Sequence, residues 1–191
     1  MTKPDAGGRA ISRRRFFSLG AGAALAALPA LAMPHPARAG IIAAGERKLS
    51  FDNLHTGESL KTVYWESGKY VPDALREINY ILRDFRTGDL HAIDPKLLDL
   101  LYTLHGKLGS RVPFSIISGY RSPKTNAMLA SESKGVARHS LHMEGKAIDI
   151  SLEDVRLGDL RRAAISLQKG GVGYYPASDF VHVDVGRVRT W

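Results

Sequence analysis

Two short segments with alternating apolar and polar residues stand close together in the chain. In residues 47–55, Leu49 and Phe51 alternate with polar neighbours, and alternation returns in residues 60–65. Residues 56–59 between them read Thr-Gly-Glu-Ser, which is a composition typical of turns. The pattern therefore predicts a β-hairpin.

Helical spacing of apolar residues follows in three places. Pro72 is suited to the first position of a helix, where a missing N–H costs nothing, and we expect this helix to run past Phe85 towards Gly88. Asp94 is the predicted N-cap of a second helix that Gly109 ends, and residues 157–168 form a third. The predicted buried stripes of the first two helices are Leu75, Ile78, Ile81, Leu82 and Phe85, and Leu97, Leu98, Leu101, Leu104 and Leu108.

Short apolar runs complete the pattern. Residues 113–118, 145–151 and 180–185 are predicted strands, and residues 170–176 are a loop or the tight start of a strand. Residues 123–131 form a short helix, and a polar loop over 132–138 follows. Helices mixed with short strands and a hairpin indicate the α+β class, because a parallel sheet would need a regular alternation of strands and helices.

The first 39 residues differ from the rest. Residues 12–17 read Ser-Arg-Arg-Arg-Phe-Phe, the core of a twin-arginine signal, and an apolar run over 19–32 follows. This run is shorter than the roughly 20 residues of a membrane-spanning helix, and residues 37–39, Ala-Arg-Ala, suit a signal peptidase. We expect residues 1–39 to be a removed signal peptide and residues 40–191 to be one domain; an uncleaved leader acting as an anchor is the alternative.

Charge and cysteine content narrow the function classes. The formal net charge of +8 comes largely from the leader, which holds six of the 27 basic residues and one of the 19 acidic residues. The rest has a net charge of +3, which does not indicate a nucleic-acid partner. The chain has no cysteine, so nitrogen and oxygen must hold any metal.

Two histidines, each near a carboxylate, are the candidate chemistry. His142 and Asp149 lie seven residues apart, with Gly145 allowing a turn between them. In the last predicted strand, His182 and Asp184 share one face and the valines at 181, 183 and 185 share the other. If the two strands are neighbours, His182 points into the same cleft as Asp149. Spacing alone leaves two readings open, a divalent metal site or hydrogen-bonded pairs.

These residues carry a resemblance. Ser140-x-His142-x-x-Gly145-x-Ala147-x-Asp149, followed by Asp179-x-x-His182, resembles the signature of the zinc D-Ala-D-Ala peptidases, which share the hedgehog/DD-peptidase fold. Further matching stretches, residues 118–122, 171–176 and 180–191, are similar to the exported murein endopeptidase K type. The resemblance covers roughly residues 46–191. It implies a small, mostly antiparallel sheet with helices packed on it.

Residue roles follow from the resemblance. His142, Asp149 and His182 would bind Zn²⁺, although two histidines and a carboxylate also suit other divalent ions. Asp179 would act as general base; composition alone would favour a turn aspartate before a strand. Arg121 would stabilise an oxyanion or hold a substrate carboxylate, with a salt bridge as the alternative.

Four further residues are placed at or near the site. Asp184 is expected to hydrogen-bond a ligand histidine, with a role as base in reserve. Ser140 is expected to fix the loop or to contact substrate, and Tyr120 to line the cleft. His139 is close enough to reach the cleft, but no role demands it.

The function that the resemblance implies is hydrolysis of amide bonds in peptidoglycan stem peptides by an exported zinc endopeptidase. Two alternatives stay open: a D,D-carboxypeptidase, and a binding protein of the same fold without activity. The bond between D-alanine and diaminopimelate and the bond between two diaminopimelates are both open as substrates. The expected location is the periplasm, with membrane contact only during export, and the oligomeric state is undetermined.

Overall fold

The computed structural model describes residues 45–132 and 137–191. The predicted signal peptide and most of the predicted polar loop lie outside these residues. Among the described residues, no helix has both the length and the apolar character needed to cross a membrane.

One eight-stranded sheet forms the centre of the domain. Its strands are β1 (Arg47–Asn53), β2 (Ser59–Glu66), β3 (Lys69–Tyr70), β4 (Phe114–Ser118), β5 (Ala147–Ser151), β6 (Gly171–Tyr175), β7 (Phe180–Asp184) and β8 (Arg189–Thr190). Their spatial order is β3-β2-β1-β4-β5-β7-β6-β8. Among the strands of the described part of the chain, only the pairs β1–β4 and β6–β8 are parallel, so the sheet is mostly antiparallel as predicted.

Within residues 45–132 and 137–191, four α-helices accompany the sheet: α1 (Pro72–Ile81), α2 (Pro95–Leu108), α3 (Pro123–Glu132) and α4 (Leu157–Leu167). The Asp94 side chain caps α2 by accepting a hydrogen bond from the Lys96 amide at 2.9 Å, and Gly109 ends the helix with a left-handed φ of 64°. Both signals are local, which explains why the sequence located this helix well.

The prediction for α1 was too long. The helix ends at Ile81, because the next residues bind a neighbouring loop. The Leu82 carbonyl accepts a hydrogen bond from the Tyr120 amide at 2.8 Å, and the Asp84 carboxylate accepts one from the Ser122 amide at 2.8 Å. Leu82 is fully buried, as its place in the predicted apolar stripe implied, but it lies outside the helix.

The core lies between the helices and one face of the sheet. Along β5 and β7, the residues Ile148, Ile150, Val181 and Val183 are buried in this core. Side chains alternate across a strand, so Asp149 and His182 face the opposite side of the sheet. The α+β prediction is confirmed, and the sheet presents its polar positions together on the face away from the core.

Candidate metal centre

Strand pairing brings the two halves of the predicted ligand set together. β5 and β7 are antiparallel neighbours, and Asp149 lies directly opposite His182 in their register. Their side chains therefore meet on one face. The Nδ1 atom of His182 lies 2.9 Å from the Oδ1 atom of Asp149. The condition that the sequence left open, that the two strands are neighbours, is met.

His142 reaches the same point from a single turn of 3-10 helix, Leu141–Glu144. The Ser140 hydroxyl caps this turn by accepting a hydrogen bond from the His142 amide at 3.4 Å. Gly145 ends the turn with a φ of 64°, and a side chain at Gly145 would collide with the Ala92 carbonyl. A residue without a side chain is therefore needed between the histidine and the strand that carries Asp149.

Three potential ligand atoms converge on one point. The Nε2 atom of His142 lies 3.1 Å from the Nδ1 atom of His182 and 3.2 Å from the Oδ1 atom of Asp149. Among the described residues, this group is the one in which at least three histidine or acidic side chains are arranged to hold a metal ion. All three residues are buried.

Hydrogen bonds on the far sides of both rings fix which nitrogens are free. His142 Nδ1 lies 2.7 Å from the Gly119 carbonyl, which can only accept, so Nδ1 carries the proton. His182 Nε2 lies 3.1 Å from the Asp184 carboxylate and donates to it in the same way. In the neutral rings, His142 Nε2 and His182 Nδ1 are then unprotonated and face each other. A cation between them relieves the repulsion between their lone pairs.

The pKa values of the three residues reflect this crowding. Burial lowers the pKa of His142. Burial also disfavours a charged His182, but hydrogen bonds to Asp149 and Asp184 outweigh it and raise the pKa of His182. Burial alone would raise the pKa of Asp149, yet His142, His182 and Arg121 hold that pKa well below its usual value. The two carboxylates that favour a charged His182 would equally favour a bound cation.

Arg121 binds the second carboxylate oxygen of Asp149. Its guanidinium forms an ion pair with Asp149 Oδ2, and its Nε donates to the Ser118 hydroxyl at 2.8 Å. Asp149 is thereby left with one oxygen, Oδ1, directed at the two histidines. The salt bridge that the sequence offered as an alternative for Arg121 is present, and the side chain also lines the cleft.

Asp184 lies on the other side of His182 and is fully buried. Besides His182, it accepts hydrogen bonds from the backbone amides of Gly171 at 3.0 Å and Gly186 at 2.8 Å. Arg189 donates to both of its oxygens, at 3.1 and 2.7 Å. Burial opposes ionisation, but these donors hold the pKa of Asp184 well below its usual value.

The converging atoms face a cleft of about 460 Å³. His139 and Ser140 line it, whereas Tyr120 does not; its ring stacks on His91 with centroids 4.8 Å apart. Asp179 is exposed, with a left-handed φ of 53°. Its two neighbours, Ser178 and Phe180, line the cleft, but Asp179 is not among the lining residues.

The sequence did not identify part of the cleft wall. Arg189 and Trp191 line it. A signal was present: Arg189 begins β8 and Trp191 directly follows this strand, so the two residues, two positions apart in extended backbone, share a face. Nothing local indicated that this face meets His182, because β8 reaches it only through its pairing with β6.

The donor set fits zinc. Nitrogen and oxygen ligands at about 2.0–2.1 Å in tetrahedral geometry lie about 3.3 Å from one another. The three separations here, 2.9 Å, 3.1 Å and 3.2 Å, are close to that value. Two histidines and one carboxylate also match the catalytic zinc sites in which a fourth position stays open.

The fold and this site together define the class of α+β proteins with a candidate metal centre of two histidines and a carboxylate in a cleft. Within that class, a model of the family described as peptidoglycan L,D-endopeptidase MepK matches residues 41–191. The peptidoglycan L,D-endopeptidase MepK of Escherichia coli strain K12 is 44% identical over 180 residues, covering 94% of this chain and 97% of that protein. A Haemophilus influenzae protein named probable peptidoglycan L,D-endopeptidase MepK is 40% identical over 181 residues, covering 94% and 95%.

The chain therefore belongs to the peptidoglycan L,D-endopeptidase MepK family. The resemblance found in the sequence is confirmed, and so is the prediction that the chain is an enzyme.

Proposed function

We propose that this chain is an exported zinc-dependent endopeptidase that cleaves cross-links between peptidoglycan stem peptides. The observation that carries the proposal is the convergence of His142 Nε2, Asp149 Oδ1 and His182 Nδ1 in one cleft. Membership of a family whose relatives are named peptidoglycan endopeptidases supplies the substrate class. Action on peptidoglycan implies a location outside the cytoplasmic membrane.

The relatives' names also favour one of the two bonds that the sequence left open. They are named L,D-endopeptidases, and the bond between two diaminopimelates joins an L centre to a D centre. The bond between D-alanine and diaminopimelate joins two D centres. We therefore propose the diaminopimelate–diaminopimelate cross-link as substrate.

His142, Asp149 and His182 would hold the zinc ion. When bound, zinc would supply a water whose pKa is lowered to about 7 and would polarise the scissile carbonyl. The protein contributes rigid ligands, since each histidine is fixed by a hydrogen bond on its far side. Asp149 presents a single oxygen, because Arg121 takes the other.

Arg121 would also act on the substrate. Its side chain is 14% exposed and lines the cleft beside Asp149. A guanidinium has five donors in a fixed plane, and the bonds to Ser118 and Asp149 leave one edge of it for a carbonyl oxygen or a carboxylate of the bound peptide. The salt bridge and the substrate role are compatible on this geometry.

Asp179 is the proposed general base. Among the described residues, no side chain forms an ion pair or a hydrogen bond with its carboxylate, so its lone pairs are available for a proton. It lies three residues before His182 and between two residues that line the cleft. Asp184, the reserve, is unsuited because donors from four residues already occupy its oxygens.

The N-terminal segment is proposed as a twin-arginine signal that directs the folded chain to the periplasm. The supporting features are the Arg13-Arg14-Arg15 run and the apolar stretch behind it. Zinc loading before export would be consistent with transport of a folded chain. Processing after Ala39 is tested by the mass and the N-terminal sequence of the protein recovered from the periplasm.

Cross-linked muropeptide dimers test the activity directly. The purified protein should convert diaminopimelate-linked dimers into monomers, lose this activity with a chelator and regain it with Zn²⁺, as read by mass analysis of the products. Release of free D-alanine without loss of dimers would instead show a carboxypeptidase. Dimers that are bound but persist at every zinc concentration would contradict the enzyme proposal and show a binding protein.

The Asp179→Ala variant tests the base. We expect it to keep bound zinc and to lose activity by about 10²–10⁴-fold, the usual contribution of general acid–base catalysis. Asp73→Ala, which removes an exposed aspartate from α1, is the matched control and should leave activity unchanged. Full activity in Asp179→Ala would remove Asp179 from the mechanism.

A further inference from the structure

Ring stacking holds Tyr175 in the wall of the cleft. It is the last residue of β6 and pairs with Phe180, the first residue of β7. The two rings stack with centroids 4.6 Å apart and an angle of 21° between their planes. Both residues line the cleft that contains the converging ligand atoms. The ring of Tyr175 therefore has a defined position beside the proposed metal centre.

The hydroxyl end of Tyr175 is held by Trp191. The indole Nε1–H donates to the Tyr175 hydroxyl oxygen at 2.7 Å. The backbone of Trp191 forms two hydrogen bonds with β6. Its amide donates to the Val172 carbonyl at 3.2 Å, and its carbonyl accepts from the Tyr174 amide at 3.1 Å. The indole is thus anchored independently of Tyr175.

The surroundings of Trp191 keep its ring over the site. A side chain at Gly173 would come within 2.7 Å of the indole, so the glycine provides the space that the ring occupies. The guanidinium of Arg189 lies 4.8 Å from the ring centroid, and the ring of His182 lies 5.2 Å away. Trp191 nevertheless remains 47% exposed, and it is one of the residues that line the cleft.

These contacts leave the Tyr175 hydroxyl as a donor. An indole N–H can only donate, so the phenol oxygen accepts from it and keeps its own hydrogen. Within residues 45–132 and 137–191, the Tyr175 hydroxyl donates to no other residue. This hydrogen is available to an acceptor that enters the cleft.

We propose that Tyr175 donates a hydrogen bond to an oxygen of the bound stem peptide and that Trp191 is the positioning residue that orients this hydroxyl. The inference rests on the proposed function for the identity of the peptide. Stem peptides present backbone carbonyls and side-chain carboxylates, both of which are acceptors. Tyr175 and Arg121 both line the cleft, so together they would fix the orientation of the peptide within it.

Kinetics on diaminopimelate-linked muropeptide dimers test the pair. Tyr175→Phe keeps the stacked ring and removes the donor, and it should lower kcat/KM by about three- to tenfold, the range of one neutral hydrogen bond. Trp191→Phe should lower it by a similar or smaller factor. Because Trp191 acts through Tyr175, the double variant should be no worse than Tyr175→Phe alone. Independent, multiplying losses would overturn the role of Trp191.

A binding measurement separates this inference from the proposed activity. Trp65 and Trp191 are the two tryptophans of the chain, so Trp65→Phe leaves Trp191 as the one indole that reports the cleft by fluorescence. Titration with a purified stem tetrapeptide should change this fluorescence, and Tyr175→Phe should raise the Kd by about three- to tenfold. Zinc content and Tm should stay at the values of the parent protein.

Tyr174→Phe is the matched control. Tyr174 precedes Tyr175 on β6, but its ring lies under Arg161, with the guanidinium carbon 4.9 Å from the ring centroid. A wild-type protein that binds the tetrapeptide through Tyr175 but cleaves no dimer would contradict the proposed function and support this inference. Equal Kd and equal kcat/KM for Tyr175→Phe and Tyr174→Phe would overturn the inference.

Discussion

His182 lies between two buried aspartates whose surroundings are opposite in character. On the Asp149 side, three acceptor atoms crowd together within 3.2 Å: two unprotonated ring nitrogens and one carboxylate oxygen. On the Asp184 side, one carboxylate is met by donors from His182, Arg189 and two backbone amides. The same ring thus faces a surplus of acceptors on one edge and a matched set on the other.

This difference distinguishes a ligand-binding site, on the Asp149 side, from a supporting contact, on the Asp184 side. Matched donors and acceptors make a stable structure without a ligand, because every buried polar group has a partner. Crowded acceptors need a cation to balance them. A buried aspartate beside a histidine is therefore not diagnostic by itself; the number of donors around it decides between a ligand and a structural partner.

Removing the charge on the acceptor side should have the largest effect. Asp149→Asn replaces the one carboxylate oxygen that faces the two histidines and breaks the ion pair with Arg121. We expect zinc and activity to be lost together, as measured by elemental analysis and by muropeptide cleavage. An Asp149→Asn protein with full zinc content and full activity would remove Asp149 from the ligand set.

Changing the matched side should have a smaller effect. Asp184→Asn weakens the bond that keeps the proton on His182 Nε2 and so frees Nδ1 for metal. Loss of such a supporting partner typically lowers metal affinity or activity by about 10–100-fold. Competition with a zinc-binding dye measures the affinity. If Asp184→Asn loses metal as completely as Asp149→Asn, the distinction between the two sides does not hold.

Asp84 is the third buried aspartate among the described residues, and unlike the other two it has no histidine partner. Its substitution should therefore change stability and not metal binding. Burial alone would raise the pKa of Asp84, but hydrogen bonds from Thr125 and Ser122 lower it to about 2. A fall from the ordinary value of 3.8 to about 2 corresponds to about 2 kcal/mol. Asp84→Asn should lower the free energy of unfolding by about that amount at neutral pH and leave zinc content unchanged.

The pH dependence gives the sign of this effect. Because folding lowers the pKa of Asp84, its contribution is complete above about pH 4 and is lost as the pH falls towards about 2. Urea unfolding of the wild type and of Asp84→Asn should therefore give a difference that shrinks in acid. If the difference in unfolding free energy stays constant across this pH range, the charge of Asp84 is not what stabilises the protein.

Local signals predicted most of the fold. The cap at Asp94, the glycine at 109 and the alternation in the hairpin are properties of neighbouring residues, and each element lies where they indicated. The end of α1 was missed because Leu82 and Asp84 bind residues about 38 positions further along the chain. The two-residue strands β3 and β8 were missed as well, since they are too short to show a period.

For the site, the sequence by itself determined which side chains are available: no cysteine, two histidines each near an aspartate, and a glycine where the chain must turn. Alternation along a strand then placed His182 on the face away from the core, because side-chain direction in a strand is set locally. Only the tertiary structure decided that Asp149 faces His182, that Arg121 takes one oxygen of Asp149, and that Asp184 is saturated with donors. The contacts of Asp149 with Arg121 and His182 join residues 28 or more positions apart, so pairing between distant segments, which no local pattern encodes, had to fix them. The donors of Asp184 lie within 13 positions of it, and only the folded path of the chain turns all of them towards its carboxylate.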